Sequence, residues 1–429
     1  MTAHASPTVS RPSPLWACLA FTTVNSVATG VTFNGISFIN EKVFGYGLAA
    51  NSALSIMLGV TYMAGAMFTG PFVRWAERTH AWCTPRGVLA LMMLAAAALN
   101  LLPTVTWFLL SPGDRIRGSQ VALWIFVAFY SLLCGGLWPV VESFVSGGRG
   151  NGLPRVIGKF NVLWSSALVG SMWLVPAVPA ALKAIARALD RPLDDASAAV
   201  SIFAVMALLH LAALLILRRF EPHPGSHDHT AHATPPSYAR LLRLHRALMP
   251  ASYLVCYALS PFLPTMTAAL KLSTDAGSIF SSIWLAARPA TFFLMDRWEK
   301  WHGTLFTAKT GSACVLGGFA VCVLSTVLHP SLGIPAAAVA LAAFGAGMAM
   351  IYVAALYYGM EVGAAAVDEG GKHETLIGVG YTVGPLCGLG GAASVTLGLA
   401  ATPNPVMLGL VAVTSLGGGY WLLRRSRVA

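Results

Sequence analysis

Charge is what this 429-residue chain has least of: Asp, Glu, Lys and Arg make up 10% of it, against 56% apolar residues. A soluble globular chain carries about 25% charged residues. A deficit of that size, with a mean hydropathy of +0.69, cannot be hidden inside a water-soluble core. Cysteine patterns that hold metals or disulfides are also missing. Seven cysteines occur, six of them in apolar stretches and none in a Cys-x-x-Cys pair, so they read as small packing residues. There is no His-x-x-Glu-His, no Gly-x-Ser-x-Gly and no pair of intramembrane aspartates, which leaves an enzyme without a metal set or nucleophile. The net charge of +11 would suggest nucleic acid in a soluble chain. In one this apolar it belongs to loops at a membrane surface, and no nucleic-acid partner is expected.

Long apolar runs are what the chain has instead. About 20 apolar residues cross a bilayer. Twelve such spans are expected, near 15–39, 47–72, 87–110, 121–143, 157–180, 197–217, 247–270, 274–296, 304–328, 333–359, 374–400 and 405–423. Lipid cannot satisfy a free backbone, and runs this continuous are not the alternating strands of a barrel, so the spans are helices. The first run follows a single Arg11 and, at about 25 residues, exceeds the apolar part of a cleaved leader; it is read as a retained span.

With the N-terminus inside, 19 of the 27 Lys and Arg residues fall on the inner side and 7 outside, and Arg288 lies within a span. Positive charge accumulates on cytoplasmic loops. Both termini are therefore expected in the cytoplasm, in a multi-pass protein of the plasma membrane or, in a Gram-negative cell, the inner membrane. The longest hydrophilic stretch, 218–246, is rich in Pro, His, Ser and Thr and reads as a flexible connector. The organisation is then a tail at 1–14, a six-helix half at 15–217, the linker at 218–246, a second half at 247–423 and a tail at 424–429. His223, His227, His229 and His232 surround Asp228 in the linker. Without cysteine or fixed geometry they assign no metal, and no cofactor is expected. Residues 181–196 are expected to form a short amphipathic helix at the outer surface.

The two halves repeat one another. RWAERTH (Arg74–His80) follows span two, and RWEKWH (Arg297–His302) follows span eight. Trp138 precedes Glu142 by one helical turn at the end of span four, as Tyr357 precedes Glu361 at the end of span ten. Ile157-Gly158 opens span five and Ile377-Gly378 opens span eleven. The offsets of 223, 219 and 220 residues keep their order, the signature of an internal duplication.

Twelve spans in two parallel halves with cytoplasmic termini resemble the major facilitator superfamily. Its loops after spans two and eight read Gly-x-x-x-Asp-Arg-x-Gly-Arg. The second copy here is Asp296-Arg297-x-Glu299-Lys300, while the first keeps Gly70 but has Arg74 where the Asp is expected. Glu142 and Arg149 have the Glu-to-Arg spacing of sugar porters, and Arg155-x-x-Gly158-x-x-Asn161 is similar to the start of the family's fifth span. Glu361 has Asp368 where a matching Arg would stand. The resemblance implies an all-α polytopic fold of two pseudo-symmetric six-helix bundles. It also implies alternating access to a mid-membrane site between spans 1, 4, 7, 8 and 10.

Arg288 lies eight residues from Asp296, about 12 Å along a helix. A charge at that depth faces protein or a water-filled cavity. It is an anchor for an anionic substrate group, a gate partner, or one arm of a structural ion pair, with Glu361 a candidate. Thr22, Asn25, Thr29 and Thr32 share one face of span one, and Tyr253, Tyr257 and Ser260 one face of span seven. Such stripes bind a polar substrate or each other. The candidate substrate contacts are Asn25, Thr29, Trp138, Tyr257, Arg288 and Tyr357. The candidate gating residues are Arg74, Arg78, Glu142, Arg149, Asp296, Arg297 and Glu361, whose pairings would change between states. By these boundaries all 16 acids lie in loops or at span ends, so no proton-coupling carboxylate is expected in the core; His210 is the titratable candidate there. Gly380, Gly384 and Gly388, four apart on span eleven, suit close helix contact. The function read from these residues is secondary transport of a small solute, an organic anion, by a monomer that is not an enzyme. The alternatives are a degenerate member of the same fold acting as receptor or scaffold, and a membrane-embedded enzyme.

Overall fold

The structure is a computed structural model and describes residues 11–80, 83–225, 235–362 and 367–425; the side chains of 151, 360, 361, 367–369, 419–423 and 425 lie outside that description. Among the described residues every regular element is a helix. The six of the first half are α1 (Leu15–Phe44), α2 (Leu48–Thr79), α3 (Pro85–Leu109), α4 (Arg115–Ser146), α5 (Leu153–Ala188) and α6 (Asp195–Leu217). The second half holds α7 (Pro236–Ala269), α8 (Thr274–Arg297), α9 (Phe306–Ser325), α10 (Pro330–Val362), α11 (Val367–Thr396) and α12 (Asn404–Arg425). Eleven are long and apolar enough to cross a membrane, and the apolar part of α12, Asn404–Gly418, is shorter. Phe68, Leu208, Leu215 and Val339 point outward on these helices, more than half exposed. In a multi-pass membrane protein that surface meets lipid.

Local chemistry sets the helix ends. Thr84 caps α3, its oxygen accepting from the Gly87 amide at 3.2 Å, with Pro85 at the first helical position. Asp194 caps α6 through the Ser197 amide at 2.7 Å. Gly45 closes α1 at φ 65°, a conformation that costs a side-chain-bearing residue more.

Two expectations for the loops are corrected. Helix α5 runs unbroken to Ala188, so residues 181–188 extend a span rather than start a separate surface helix. Lys183 on this extension pairs with Asp195 at the start of α6. Helix α7 begins at Pro236, so 236–246 of the stretch read as connector is helical. Its pattern explains this: Leu241, Leu242 and His245 are buried on one face, against Trp301 and Tyr358 among others, while Arg240 and Arg243 stay outside the buried set.

The halves meet chiefly along two pairs of helices, α2 with α11 and α5 with α8, and α11 also touches α4. Small residues permit this. A Cβ at Gly59 of α2 would collide with the carbonyl of Tyr381 on α11, and one at Gly378 would lie 2.7 Å from Met63 Cβ. At Gly158 of α5 it would lie 2.6 Å from Asp296 Oδ1 on α8. Gly158 and Gly378 are repeat-equivalent, and each abuts the opposite half. Of the three-glycine stripe on α11, Gly380 and Gly384 pack on α7, and Gly388 on Ser52 of α2.

Gly59→Leu should therefore lower stability by about 1–3 kcal/mol through overpacking, read as a lower melting temperature in detergent. Gly317→Leu, at a glycine with open space around it, should leave the melt unchanged. Equal effects at the two positions would refute the close-contact account.

Candidate substrate site

Two departures from regular helix shape the centre. Residues Val31–Gly35 of α1 form a π-turn, and Ser260–Phe262 of α7 form a 3-10 turn beside Pro261 and Pro264. A π-turn loosens the hydrogen-bond ladder, and the Tyr257 hydroxyl donates to the Phe33 carbonyl across the halves at 3.2 Å. Around this contact lies a chamber of about 90 Å³. Its walls are Ser26, Thr29 and Phe33 of α1; Tyr62 of α2; Trp138 and Glu142 of α4; Phe160 and Trp164 of α5; Tyr253 and Tyr257 of α7; Trp284 and Arg288 of α8; Tyr352 of α10; and Glu374 and Tyr381 of α11.

Glu142 and Phe160 also line a second cavity, the vestibule, of about 740 Å³, whose lining includes Arg74, Arg246 and Lys372; this is the basic end. The opposite end is shut by contacts between the halves. Lys42 Nζ of α1 meets both carboxylate oxygens of Asp275 on α8, at 2.8 and 3.0 Å. The Trp173 indole of α5 donates to Ser282 Oγ of α8 at 3.0 Å, and Ser278 Oγ donates to the Met172 carbonyl at 3.4 Å. The chamber therefore lies against the cavity at the basic end, while the halves are in contact at the other.

Arg288 is 3% exposed. Its Nη2 donates to the Tyr253 hydroxyl at 3.3 Å, and the guanidinium lies over the Trp164 ring, 4.6 Å from its centroid, with Trp284 at 5.7 Å. Its Nε and the indole nitrogen of Trp284, one turn earlier, have no protein acceptor. Among the described residues no carboxylate lies within ion-pair distance of it. The direct contacts of this buried cation are rings and a phenol, and Glu142 and Glu374 line the same chamber outside ion-pair distance of it, so the guanidinium is free to take an anion as its direct partner.

Thr29, Trp138, Tyr257 and Arg288 thus line the chamber, and two other candidate contacts sit elsewhere. Asn25 donates to the Phe21 carbonyl at 2.9 Å, and its Oδ1 lies 3.1 Å from His210 Nδ1. His210 in turn meets the Tyr130 hydroxyl at 2.8 Å. This buried network joins helices within the first half, because a stripe on one face does not say which neighbour that face meets. Tyr357 stacks on His302 at the basic end, centroids 4.2 Å apart.

Among the gating candidates, Arg74 lines the vestibule and Glu142 reaches both cavities. Arg149 does not pair with Glu142; it donates to the Ser13 carbonyl at 2.6 Å and the Val145 carbonyl at 3.2 Å. Asp296 abuts α5 at Gly158. Arg297 folds onto the Phe293 ring, 3.5 Å from its centroid, and Arg78 is exposed. The Glu361 side chain and His227, His229 and His232 lie outside the described residues.

The expectation that the core holds no carboxylate is overturned. Helix α11 starts at Val367, which puts Glu374 two turns inside, 4% exposed and hydrogen-bonded to the Tyr62 hydroxyl. The cue was its spacing to Tyr381, seven residues on and so on the same face. Lys42 and Asp275 were also missed, since single charges at span ends are ordinary.

No family model matches this sequence, and neither does any curated protein. Solved structures do match. The nucleoside transporter NupG is similar at 10% identity, over 96% of this chain and 98% of its own, with a TM-score of 0.63. A bacterial homologue of the human lysosomal transporter Spinster, inward-facing and unoccupied, is similar at 14% identity over 95% and 93%, TM-score 0.63. A structure from work on proton-dependent oligopeptide transporters is similar at 11% identity over 97% and 99%, TM-score 0.59. The chain has the major facilitator fold.

Lys42→Ala should loosen the closed end. A partly exposed pair contributes about 0.2–1 kcal/mol, so a cysteine at Ser278 should react up to about fivefold faster with an impermeant thiol reagent added from that side. The swap Lys42→Asp with Asp275→Lys should restore the slow rate. An unchanged rate in Lys42→Ala would remove this pair from the closure.

Proposed function

We propose that this protein is a secondary transporter that moves a small organic anion by alternating access between its two six-helix halves. The observation that carries the reading is Arg288, a buried guanidinium on a chamber wall with no carboxylate partner among the described residues. An intramembrane charge is retained at a cost, and in a cavity its use is to meet an opposite charge. The idle indole N–H of Trp284 beside it suits a two-oxygen acceptor such as a carboxylate.

The remaining parts serve the cycle. The α2–α11 and α5–α8 contacts are surfaces on which the halves rock, and the Lys42–Asp275 pair holds one end shut while the vestibule is open. The basic end faces the cytoplasm, with both termini, because Lys and Arg concentrate there. The protein acts as a monomer in the plasma membrane or a bacterial inner membrane. The fold by itself does not select the solute; the chamber wall does.

Uptake of labelled small carboxylates into proteoliposomes tests this. Arg288→Gln should cut flux by about 30-fold or more, as expected when one partner of a buried charge pair is removed, and Arg288→Lys should keep a measurable part. Equal flux in Arg288→Gln would remove this residue from the site. Binding without flux for every carboxylate in a broad panel would replace the transporter with a receptor of the same fold.

A further inference from the structure

The chamber has a second pole, of opposite sign. Glu374 of α11 is buried on its wall, bonded to Tyr62, and Glu142 of α4 shares the same space. Around the Glu374 side stand aromatic rings centred on Tyr381. Their centroids lie 3.8 Å from it for Tyr257, 5.1 Å for Tyr62, 5.6 Å for Tyr253 and 5.8 Å for Phe33. Aromatic rings beside a carboxylate are the chemistry that holds an ammonium group. They offer nothing to a second anion. Tyr253 joins the poles: its hydroxyl accepts from Arg288, and its ring packs on Tyr381.

We propose that the solute is a zwitterion, its carboxylate on Arg288 and its ammonium group on Glu374 among the tyrosine rings. The inference rests on the anion-transport reading of this chamber and narrows it. Charge balance favours it over a plain anion. The chamber wall already carries one guanidinium and two carboxyl groups, and a plain anion would add a third acidic group to a low-dielectric space. A zwitterion adds no net charge and gives each pole its counter-ion. The acid pole also disfavours plain dicarboxylates, which would place like charge against Glu374.

The test is titration calorimetry on the full-length protein in detergent, with matched probes. These are β-alanine, γ-aminobutyrate and ε-aminocaproate; propionate, butyrate and caproate; and propylamine, butylamine and hexylamine. At least one amino acid should bind about tenfold or more tighter than both its carboxylate and its amine counterpart, the worth of one charge-assisted contact. Glu374→Gln should erase the advantage over the carboxylate while leaving plain carboxylate binding in place, and Glu374→Asp should recover part of it. Melting curves of both variants separate loss of the ammonium contact from loss of the fold. The inference is overturned if no amino acid exceeds its counterparts, if none of the probes binds, or if Glu374→Gln keeps the advantage. It is also overturned if Glu374→Gln only flattens the pH dependence of plain carboxylate binding, which would mark Glu374 as a proton carrier. Arg288→Gln reports separately: carboxylate binding that survives it sinks the anion reading, whatever the amine comparison shows.

Discussion

Lipid offers the peptide backbone no hydrogen bond, and most of this structure follows from that. Every span must satisfy its own amides, so the chain is helix after helix, with its charge pushed to the ends. The constraint relaxes only where protein or a cavity replaces lipid. The π-turn at Val31–Gly35 and the 3-10 turn at Ser260–Phe262 both occur there, on repeat-equivalent helices that face each other across the chamber. Irregular backbone thus marks the chamber as clearly as the charged residues do.

The same constraint decides what could be read from the sequence. The helical, multi-pass architecture was legible because apolar length encodes it directly. Gly158 and Gly378, picked out as repeat anchors, turn out to lie against the opposite half, so the duplication signal was also a packing signal. Arg288 was legible because a lone charge in an apolar run has few explanations. Other features were written in three dimensions only. Lys42 and Asp275 are 233 residues apart and ordinary in isolation. Asn25 shares a helical face with Thr29, but the small turn between them sends one to His210 and the other to the chamber.

Glu374 shows where span-finding fails. A hydropathy reading stops a helix at its first charged residues, so Lys372, His373 and Glu374 looked like the edge of span eleven. The helix continues two turns further because that end of α11 borders the vestibule rather than lipid. A polar helix end beside water-filled space and a helix terminus look alike in sequence, and the error fell on the residue that most changes the reading of the chamber.

Arg288 and Glu374 stand on α8 and α11, both in the second half, whereas the first half supplies Tyr62, Trp164 and Glu142 to the walls. In a rocking cycle each half moves as a body. The separation between guanidinium and carboxylate then stays fixed while the first half swings across them. A solute held by those two groups, as proposed, would keep its berth through the whole stroke while only the doorway changes sides. Under the proposed cycle, the grip of those two groups on a solute is then nearly the same facing one compartment as the other.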